Sequence, residues 1–376
     1  MHKIVITANS SWNLFNFRSG LIASFIAEGH EVITIAPKDE YTERLVDLGA
    51  RHIPIFINPK GTRVLQDLLL LFSFLRILNT ERPDFFLSYT IKPNIYGSIA
   101  ANYFKISVIN NISGLGATFI TNNYLTYLVQ WLYKFALRRS NTVFFQNRDD
   151  FNFFIHQRLV RRESAKIIPG SGVNLNKFKF LHLPPRDEAE EVNFLLIGRM
   201  LWDKGIGEYV EAARLVQKIY PSSSFSLLGF LDAKNPTAIS SSQIQEWVAE
   251  GVIDYLGQSD DVSKEIAKTD CVVLPSYREG VPRSLLEGAA LGRPLIATNV
   301  PGCKEAIEHG FNGYLCKPYD HDDLAMQIIA FIELKPEDRQ AMGVNGRTKI
   351  VKEFDEKIVI EKYFSAIYDA LSTLNN

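Results

Sequence analysis

The sequence predicts an α/β protein built from two doubly wound, Rossmann-like domains. Three observations lead there. The chain of 376 residues is too long for one ordinary hydrophobic core. Short apolar runs alternate with longer helical stretches through both halves, the pattern of βαβ units that feed a parallel sheet. Between the halves, Leu181-His182-Leu183-Pro184-Pro185-Arg186-Asp187-Glu188-Ala189-Glu190-Glu191 is polar and Pro-rich, a linker by composition.

Strands buried on both faces read as continuous apolar runs rather than as alternation. In the first half such runs place strands at Lys3–Ala8, Glu31–Ala36, Ile53–Ile57, Phe85–Ser88, Ser107–Asn111 and Thr142–Gln146. In the second half they fall at Phe194–Gly198, Phe225–Leu228, Ile253–Leu256, Cys271–Leu274 and Pro294–Ala297. Asn9-Ser10-Ser11-Trp12-Asn13-Leu14-Phe15-Asn16-Phe17-Arg18 reads as the loop after the first strand. A final helical stretch runs from Lys357 to Leu371. The expected division is 1–180, 181–355 and a C-terminal helix within 356–376.

Composition excludes several classes. Hydrophobic residues at 46% and charged residues at 22% are ordinary for a globular protein. The cysteines Cys271, Cys303 and Cys316 form no C-x2-C pair, which argues against a structural zinc site or a disulfide framework and fits a reducing compartment. The opening Met1-His2-Lys3-Ile4-Val5-Ile6-Thr7 reads as a strand rather than a signal peptide. The greasiest stretch, Leu65 to Leu78, is broken by Gln66, Asp67, Ser73 and Arg76 and falls short of the roughly 18–20 apolar residues of a membrane span. A cytoplasmic chain without a transmembrane helix is expected.

The net charge of −1 conceals an asymmetry. Residues 1–180 hold 21 Lys+Arg against 12 Asp+Glu, and residues 181–376 hold 20 against 30. The basic half is suited to an anionic partner such as a membrane leaflet, where each basic residue contributes about 1 kcal/mol. Attraction between the two halves explains the same asymmetry.

The densest chemistry lies at Arg278-Glu279-Gly280-Val281-Pro282-Arg283-Ser284-Leu285-Leu286-Glu287-Gly288. A strand, a tight turn and a helix expected at Ser284 to Leu291 make a phosphate site, because the first N–H groups of a helix lack intrahelical partners and favour negative charge. Glu279 and Glu287 flank it, and ionised carboxylates accept hydrogen bonds from sugar and ribose hydroxyls. Gly280, Val281 and Pro282 present the turn backbone to the donor; Pro282 has no N–H, so a hydrogen bond at that position comes from neighbours such as Ser284 and Leu285. Upstream, Gly198-Arg199-Met200-Leu201-Trp202-Asp203-Lys204-Gly205 follows a buried strand. Arg199 and Lys204 are then loop cations at a strand's carboxyl end, where ligands bind in open α/β sheets. They stand where a departing diphosphate would need positive charge. Solvated loop cations and a helix-surface glutamate are the plain alternatives.

A Gly-Arg…Lys-Gly element followed by Glu-x7-Glu resembles the retaining GT-B glycosyltransferases of the fourth family in the sequence classification. Ile112-Ser113-Gly114-Leu115-Gly116, Phe145-Gln146-Asn147-Arg148-Asp149-Asp150 and Ile168-Pro169-Gly170-Ser171-Gly172-Val173-Asn174 also match, so the resemblance spans most of the chain. It is similar to a bacterial branch that elongates sugars on polyprenyl-diphosphate carriers. The resemblance implies two Rossmann-like domains facing across a cleft, with the last helix crossing back to the first. It implies a UDP-sugar donor, specifically a UDP-N-acetylhexosamine, and a lipid-linked glycan acceptor at a membrane surface. It places Glu279 on the transferred sugar and backbone groups near Leu256-Gly257 on the uracil. Phe17-Arg18 matches an aromatic-Arg step in that branch, and Asn16 and Arg18 are assigned to the acceptor or its diphosphate; helix capping by Asn16 and a surface arginine are the alternative. Gly114 and Gly116 belong to a bent loop on the acceptor side, lacking the third glycine of a dinucleotide fingerprint. No cofactor, metal or nucleic acid is expected.

Three features stay open at this level. Phe119 to Arg139 reads either as an interfacial amphipathic helix or as a core helix with a basic end. Asp320-His321-Asp322-Asp323 resembles a metal motif but suits a helix cap better. A sugar-nucleotide 2-epimerase of the same architecture, or an inactive nucleotide-sugar-binding subunit, competes with a transferase.

Overall fold

The computed structural model describes residues 1–58, 63–115, 124–183, 192–231, 235 and 237–374. The chain divides into two compact units, Met1–Ser171 with Glu356–Asn376, and Gly172–Asp355. The division falls nine residues before the boundary expected at residue 180, because the stretch after Gly172 is built into the second unit. There Val173 N–H donates to the Phe354 carbonyl at 2.9 Å and Phe178 is buried in that unit's core. The 184–191 part of the expected linker lies outside the described residues.

The first unit holds a seven-stranded, wholly parallel sheet. Its strands are β1 (Lys3–Thr7), β2 (Glu31–Ala36), β3 (Arg51–Pro54), β4 (Phe85–Tyr89), β5 (Ser107–Ile112), β6 (Thr142–Phe145) and β7 (Ala165–Ile167), in the order β3-β2-β1-β4-β5-β6-β7. The chain moves outward from β1 in one direction and then returns to lay β4 on its other side, so the topological switch lies between β1 and β4. The helices are α1 (Ser11–Ala27), α2 (Thr42–Asp47), α3 (Val64–Glu81), α4 (Ser98–Tyr103), α5 (Tyr124–Leu137) and α6 (Arg148–His156), with a π-helical turn at Pro93–Gly97 ahead of α4.

The strand expected at Ile53–Ile57 begins two residues earlier, where Arg51 pairs with Ile33 on the sheet edge and Pro54 ends it. β7 has only three residues, too few for a periodic signal. The stretch expected as a loop through Arg18 is mostly helix. Ser10 caps α1 by accepting from Asn13 N–H at 3.1 Å, and Asn16 lies inside the helix, its side-chain amide donating to the Trp12 carbonyl at 3.0 Å. Asn16 is therefore not a cap.

The second unit has six parallel strands in the order β10-β9-β8-β11-β12-β13. They are β8 (Asn193–Ile197), β9 (Ser224–Leu228), β10 (Asp254–Tyr255), β11 (Cys271–Leu274), β12 (Leu295–Thr298) and β13 (Gly313–Cys316). β13 was not expected, since its leading glycine breaks the apolar run. The helices are α7 (Ile206–Gln217), α8 (Ser241–Glu250), α9 (Val262–Ala267), α10 (Arg283–Ala290), α11 (His321–Ile332) and α12 (Pro336–Glu353). The switch here lies between β8 and β11.

Helix α13 (Glu356–Leu374) belongs to the first unit. Tyr363 is buried against Phe144 with ring centroids 5.0 Å apart, and Phe364 meets Phe25 at 5.0 Å. The Tyr363 hydroxyl accepts from the Asn111 amide at 3.0 Å. A buried polar network braces the loops beyond β4 and β5: Ser88 donates to Asn94 Oδ1 at 2.8 Å, and the Asn110 amide donates to the Ser98 hydroxyl at 2.7 Å. Satisfied networks of this kind fix one arrangement of the segments they join.

Candidate functional site

In the second unit, the loops after β8 and β11 meet at the carboxyl end of the sheet, on either side of the switch. Gly198 continues the β8 ladder, its N–H donating to the Leu228 carbonyl at 3.0 Å. The chain then passes Arg199, which is exposed, and closes a short 3-10 turn at Trp202–Lys204. Gly205 ends that turn with φ of 71°. Its Cα lies so close to the strand opposite that a Cβ would stand 2.0 Å from the Pro275 carbonyl oxygen. This close approach brings the turn against the end of β11. Tyr277 N–H donates to the Asp203 carbonyl at 3.0 Å, and the Ser276 hydroxyl lies 3.1 Å from the same oxygen.

The consequence is a direct ion pair between Lys204 and Glu279, whose side chains are only 17% and 13% exposed. The Ser276 hydroxyl lies 2.8 Å from the same Glu279 oxygen, and Thr298 holds the Ser276 carbonyl from the next strand. Glu279 N–H donates to the Pro301 carbonyl at 3.1 Å, which fixes the turn from a third side. Ser276 and Thr298 were not foreseen. Ser276 was legible only as a hydroxyl two residues past a buried strand.

Helix α10 opens at Arg283 with Pro282 in extended geometry as its N-cap. It carries no acid in its first turn and no side-chain cap, so no carboxylate of its own offsets the positive end of its dipole. Ser284 and Leu285 stand in that first turn, after Gly280 and Val281. One turn on, Glu287 pairs with Arg283 at 2.8 Å. Burial pushes the Glu287 carboxyl up from its ordinary range, and the nearby Arg283 charge only partly opposes this. Arg283 was also missed, although i,i+4 spacing to a glutamate on a helix is its signal.

Leu256 and Gly257 join the same end of the sheet. Leu256 N–H donates to the Leu227 carbonyl at 2.9 Å, and the Gly257 carbonyl accepts from Gly229 N–H at 2.7 Å. Gly229 in turn lies against Gly198, where a Cβ would stand 1.8 Å from the carbonyl oxygen. Leu256 and Gly257 therefore connect through Gly229 to the Gly198 backbone, while Lys204 and Glu279 meet beside it.

In the first unit, Gly114 lines a pocket of about 230 Å³ together with Asn9, Thr90, Lys92, Asn94 and Ser113. These residues follow β1, β4 and β5, so the pocket sits at that unit's own switch point. Thr90 adopts φ of 67°, a conformation that costs a non-glycine residue of order 1–3 kcal/mol, and its hydroxyl is buried without a hydrogen-bond partner. Lys92 is paired with Asp67 at 2.6 Å. Arg18 is buried rather than a surface arginine, its guanidinium 4.1 Å over the Tyr89 ring. Gly116 lies outside the described residues.

The remaining motifs resolve locally. Asp320 caps α11, accepting from Asp323 N–H at 2.9 Å. Asn147 caps α6, accepting from Asp150 N–H at 2.8 Å. Among the described residues no three His, Cys, Asp or Glu side chains cluster as a metal site would require, and no helix is long and apolar enough to cross a membrane. All three cysteines are buried, with burial pushing the Cys316 thiol up to about 12.

Two family models match the chain. Residues 3–147 match "Glycosyl transferase 4-like" and residues 184–349 match "Glycosyl transferases group 1". The chain is 28% identical, over 98% of both sequences, to the N,N'-diacetylbacillosaminyl-diphospho-undecaprenol alpha-1,3-N-acetylgalactosaminyltransferase of Campylobacter jejuni. It is 24% identical, over 79% of this chain and 78% of the relative, to the UDP-Gal:alpha-D-GlcNAc-diphosphoundecaprenol alpha-1,3-galactosyltransferase of Escherichia coli. The fold is similar to that of Anabaena HepE, solved in complex with UDP and glucose, with a TM-score of 0.80 at 18% identity, covering 98% of this chain and 100% of that one.

Proposed function

Because this chain belongs to the glycosyltransferases of the GT-B fold, we propose that it moves a sugar, with retention at the anomeric carbon, from a UDP-sugar to a glycan on a polyprenyl-diphosphate carrier. The observation that carries the reading is the Lys204–Glu279 pair, held at the β8/β11 switch and followed at once by the N-terminus of α10. The two relatives named above transfer N-acetylgalactosamine and galactose to undecaprenyl-diphosphate-linked sugars, and they support an N-acetylhexosamine or hexose donor here.

In this reading the diphosphate lies at the mouth of α10, with Arg199 and Lys204 beside it. Glu279 accepts from the hydroxyls of the transferred sugar, and Gly280, Val281, Ser284 and Leu285 supply backbone contacts near Pro282. Glu287 accepts from the ribose, and Gly198, Leu256 and Gly257 border the nucleoside. The acceptor is held by the first unit, at the Gly114 pocket and near Asn16, Arg18 and Gly116. The bond from the anomeric carbon to the diphosphate oxygen breaks and takes its electron pair to the diphosphate. The acceptor oxygen bonds to the same carbon on the same face, and its proton passes to a diphosphate oxygen. Lys204, Arg199 and the helix end stabilise the charge that develops on the leaving group. They do so without a metal in this reading. The lipid-linked acceptor and the basic first half together support a peripheral position on the inner face of the cell membrane.

The test is transfer of radiolabel from a panel of UDP-sugars to an undecaprenyl-diphosphate-linked sugar, with EDTA present. Transfer from one donor in EDTA is expected. Complete loss restored only by Mg²⁺ would reject the metal-free version. Interconversion of the donor without any acceptor would reject transfer in favour of epimerisation, for which the relatives offer no support.

Glu287 gives a second prediction. Hydrogen bonds to charged groups contribute about 1.5–3 kcal/mol, so Glu287→Gln should weaken UDP binding about 10- to 150-fold. Only the ionised carboxylate accepts from both ribose hydroxyls. Because burial raises its pKa, affinity should fall on acidification from a pH above the ordinary carboxylate range. Calorimetric titration with UDP across pH would show that dependence in the wild type and its absence in Glu287→Gln. The same pH profile in both proteins would take Glu287 out of the nucleotide site.

A further inference from the structure

The first unit carries two helices that are apolar on both sides. On α3, Leu70, Phe74 and Leu78 face the core. Leu65, Leu69 and Phe72, spaced i, i+4 and i+7, form a second stripe on the opposite side. On α5, Tyr133, Ala136 and Leu137 are buried, while Tyr127, Trp131 and Phe135 form an outer stripe at i, i+4 and i+8. These six outer residues are between 54% and 77% exposed. Trp131 and Phe135 stack in solvent, with ring planes 10° apart.

The two stripes lie on one side of the sheet. The crossovers from β3 to β4, β4 to β5 and β5 to β6 all run in the same direction, so right-handed connections put α3, α4 and α5 on a common face. Helix α4 packs against both of the others. An apolar surface of this kind marks an interaction site.

The charges around it select the partner. From Phe85 to Arg148 the chain holds six Lys and Arg and no Asp or Glu. Lys105, Lys134, Arg138 and Arg139 are exposed on this segment, as are Arg63, the N-cap of α3, and Arg76 within it. The carboxylates of α3 are engaged, Asp67 with Lys92 at 2.6 Å and Glu81 with Arg51. A two-fold contact between copies of this chain would set cations against cations. An anionic bilayer offers phosphates to the cations, acyl chains to the leucines, and an interface suited to Trp and Tyr.

We propose that the outer faces of α3 and α5 together form a docking surface that inserts into an anionic lipid leaflet. The inference deepens the reading above, since a lipid-linked acceptor lies in that leaflet, but its test does not depend on transfer. The basic residues draw the unit to the headgroups, and the two stripes enter the headgroup–acyl boundary. Binding thus requires both charge and apolar contact.

The experiment is flotation of the full chain with vesicles of phosphatidylglycerol and phosphatidylcholine, and with vesicles of phosphatidylcholine alone. The substitutions Leu65→Glu with Leu69→Glu, and separately Trp131→Glu, fall on exposed positions. Circular dichroism melts should therefore match the wild type. The wild type should float with the anionic vesicles only, and each variant should lower the bound fraction at least ten-fold. Turnover on a short-chain, detergent-free acceptor should stay unchanged. Variants that float like the wild type, or a wild type that does not float, would overturn the proposal. So would a wild-type dimer that these substitutions make monomeric, which assigns the surface to a second copy. Vesicle binding with no transfer to any acceptor would support the docking surface while overturning the catalytic reading.

Discussion

Lys204→Ala is expected to lower kcat by about 10²- to 10³-fold, the usual effect of removing one group that stabilises developing negative charge. The lysine stands at the β8/β11 switch, and its stem passes within 3.9 Å of where a side chain on Gly198 would begin. Its ammonium is paired with Glu279, and both side chains are largely withdrawn from water. In the proposed reaction, a fixed cation in such a site would act without reorganising as the diphosphate departs. The carboxylate keeps the ammonium in place, and the Ser276 hydroxyl lies 2.8 Å from that carboxylate in turn. Lys204 and Glu279 are thus coupled. Lys204→Ala leaves Glu279 as a half-buried charge without its cation, and Glu279→Gln does the converse. The double variant should lose less than the two single losses combined. Steady-state and single-turnover kinetics on the three proteins measure this directly. Near-normal turnover in Lys204→Ala would remove the lysine from the mechanism.

Gly205→Ala should destabilise the second unit by about 3 kcal/mol. Its φ of 71° belongs to the left-handed region, which costs a residue with a side chain about 1–2 kcal/mol. A methyl group would also stand 2.0 Å from the Pro275 carbonyl oxygen, and backbone has to move to admit it. For a unit of this size the loss corresponds to a melting temperature about 6–12 °C lower. The same movement separates the Lys204 turn from β11, so turnover should fall even where the variant is fully folded. Thermal melts with kinetics below the transition test both parts. A wild-type melt would mean that the turn relaxes without resistance from β11.

Much of this molecule was legible in the sequence because parallel strands buried on both faces leave continuous apolar runs. Cys271–Leu274 is one such strand and was read at its observed limits. Glu279 and Lys204 were singled out by their position after strands, and the structure brings their charged ends together. What was not legible depends on contacts distant in sequence. Thr298 reaches Ser276 across a strand pair, and nothing local in either residue announces it. The start of α1 was misplaced because Ser10, Ser11 and Asn16 all suit a helix cap, and only the backbone geometry at Ser10 decides among them. Arg18 reads as polar, yet it is buried against Tyr89 from the next sheet position. The outer leucines of α3 read only as part of a greasy stretch too short for a membrane span, because hydropathy gives no indication of which side of a helix faces the sheet.

The return of α13 to the first unit gives the two units different genetic status. Residues 172–355 form one uninterrupted stretch, whereas the first unit is stitched from two stretches that flank it. The second unit is in effect a domain insertion, and a gene fragment ending near residue 355 would strip the first of Tyr363 and Phe364. Recombination can therefore exchange residues 172–355 as one internal cassette, with one crossover at each end. The first unit has no such single stretch: exchanging it means replacing two separate segments, residues 1–171 and 356–376, together.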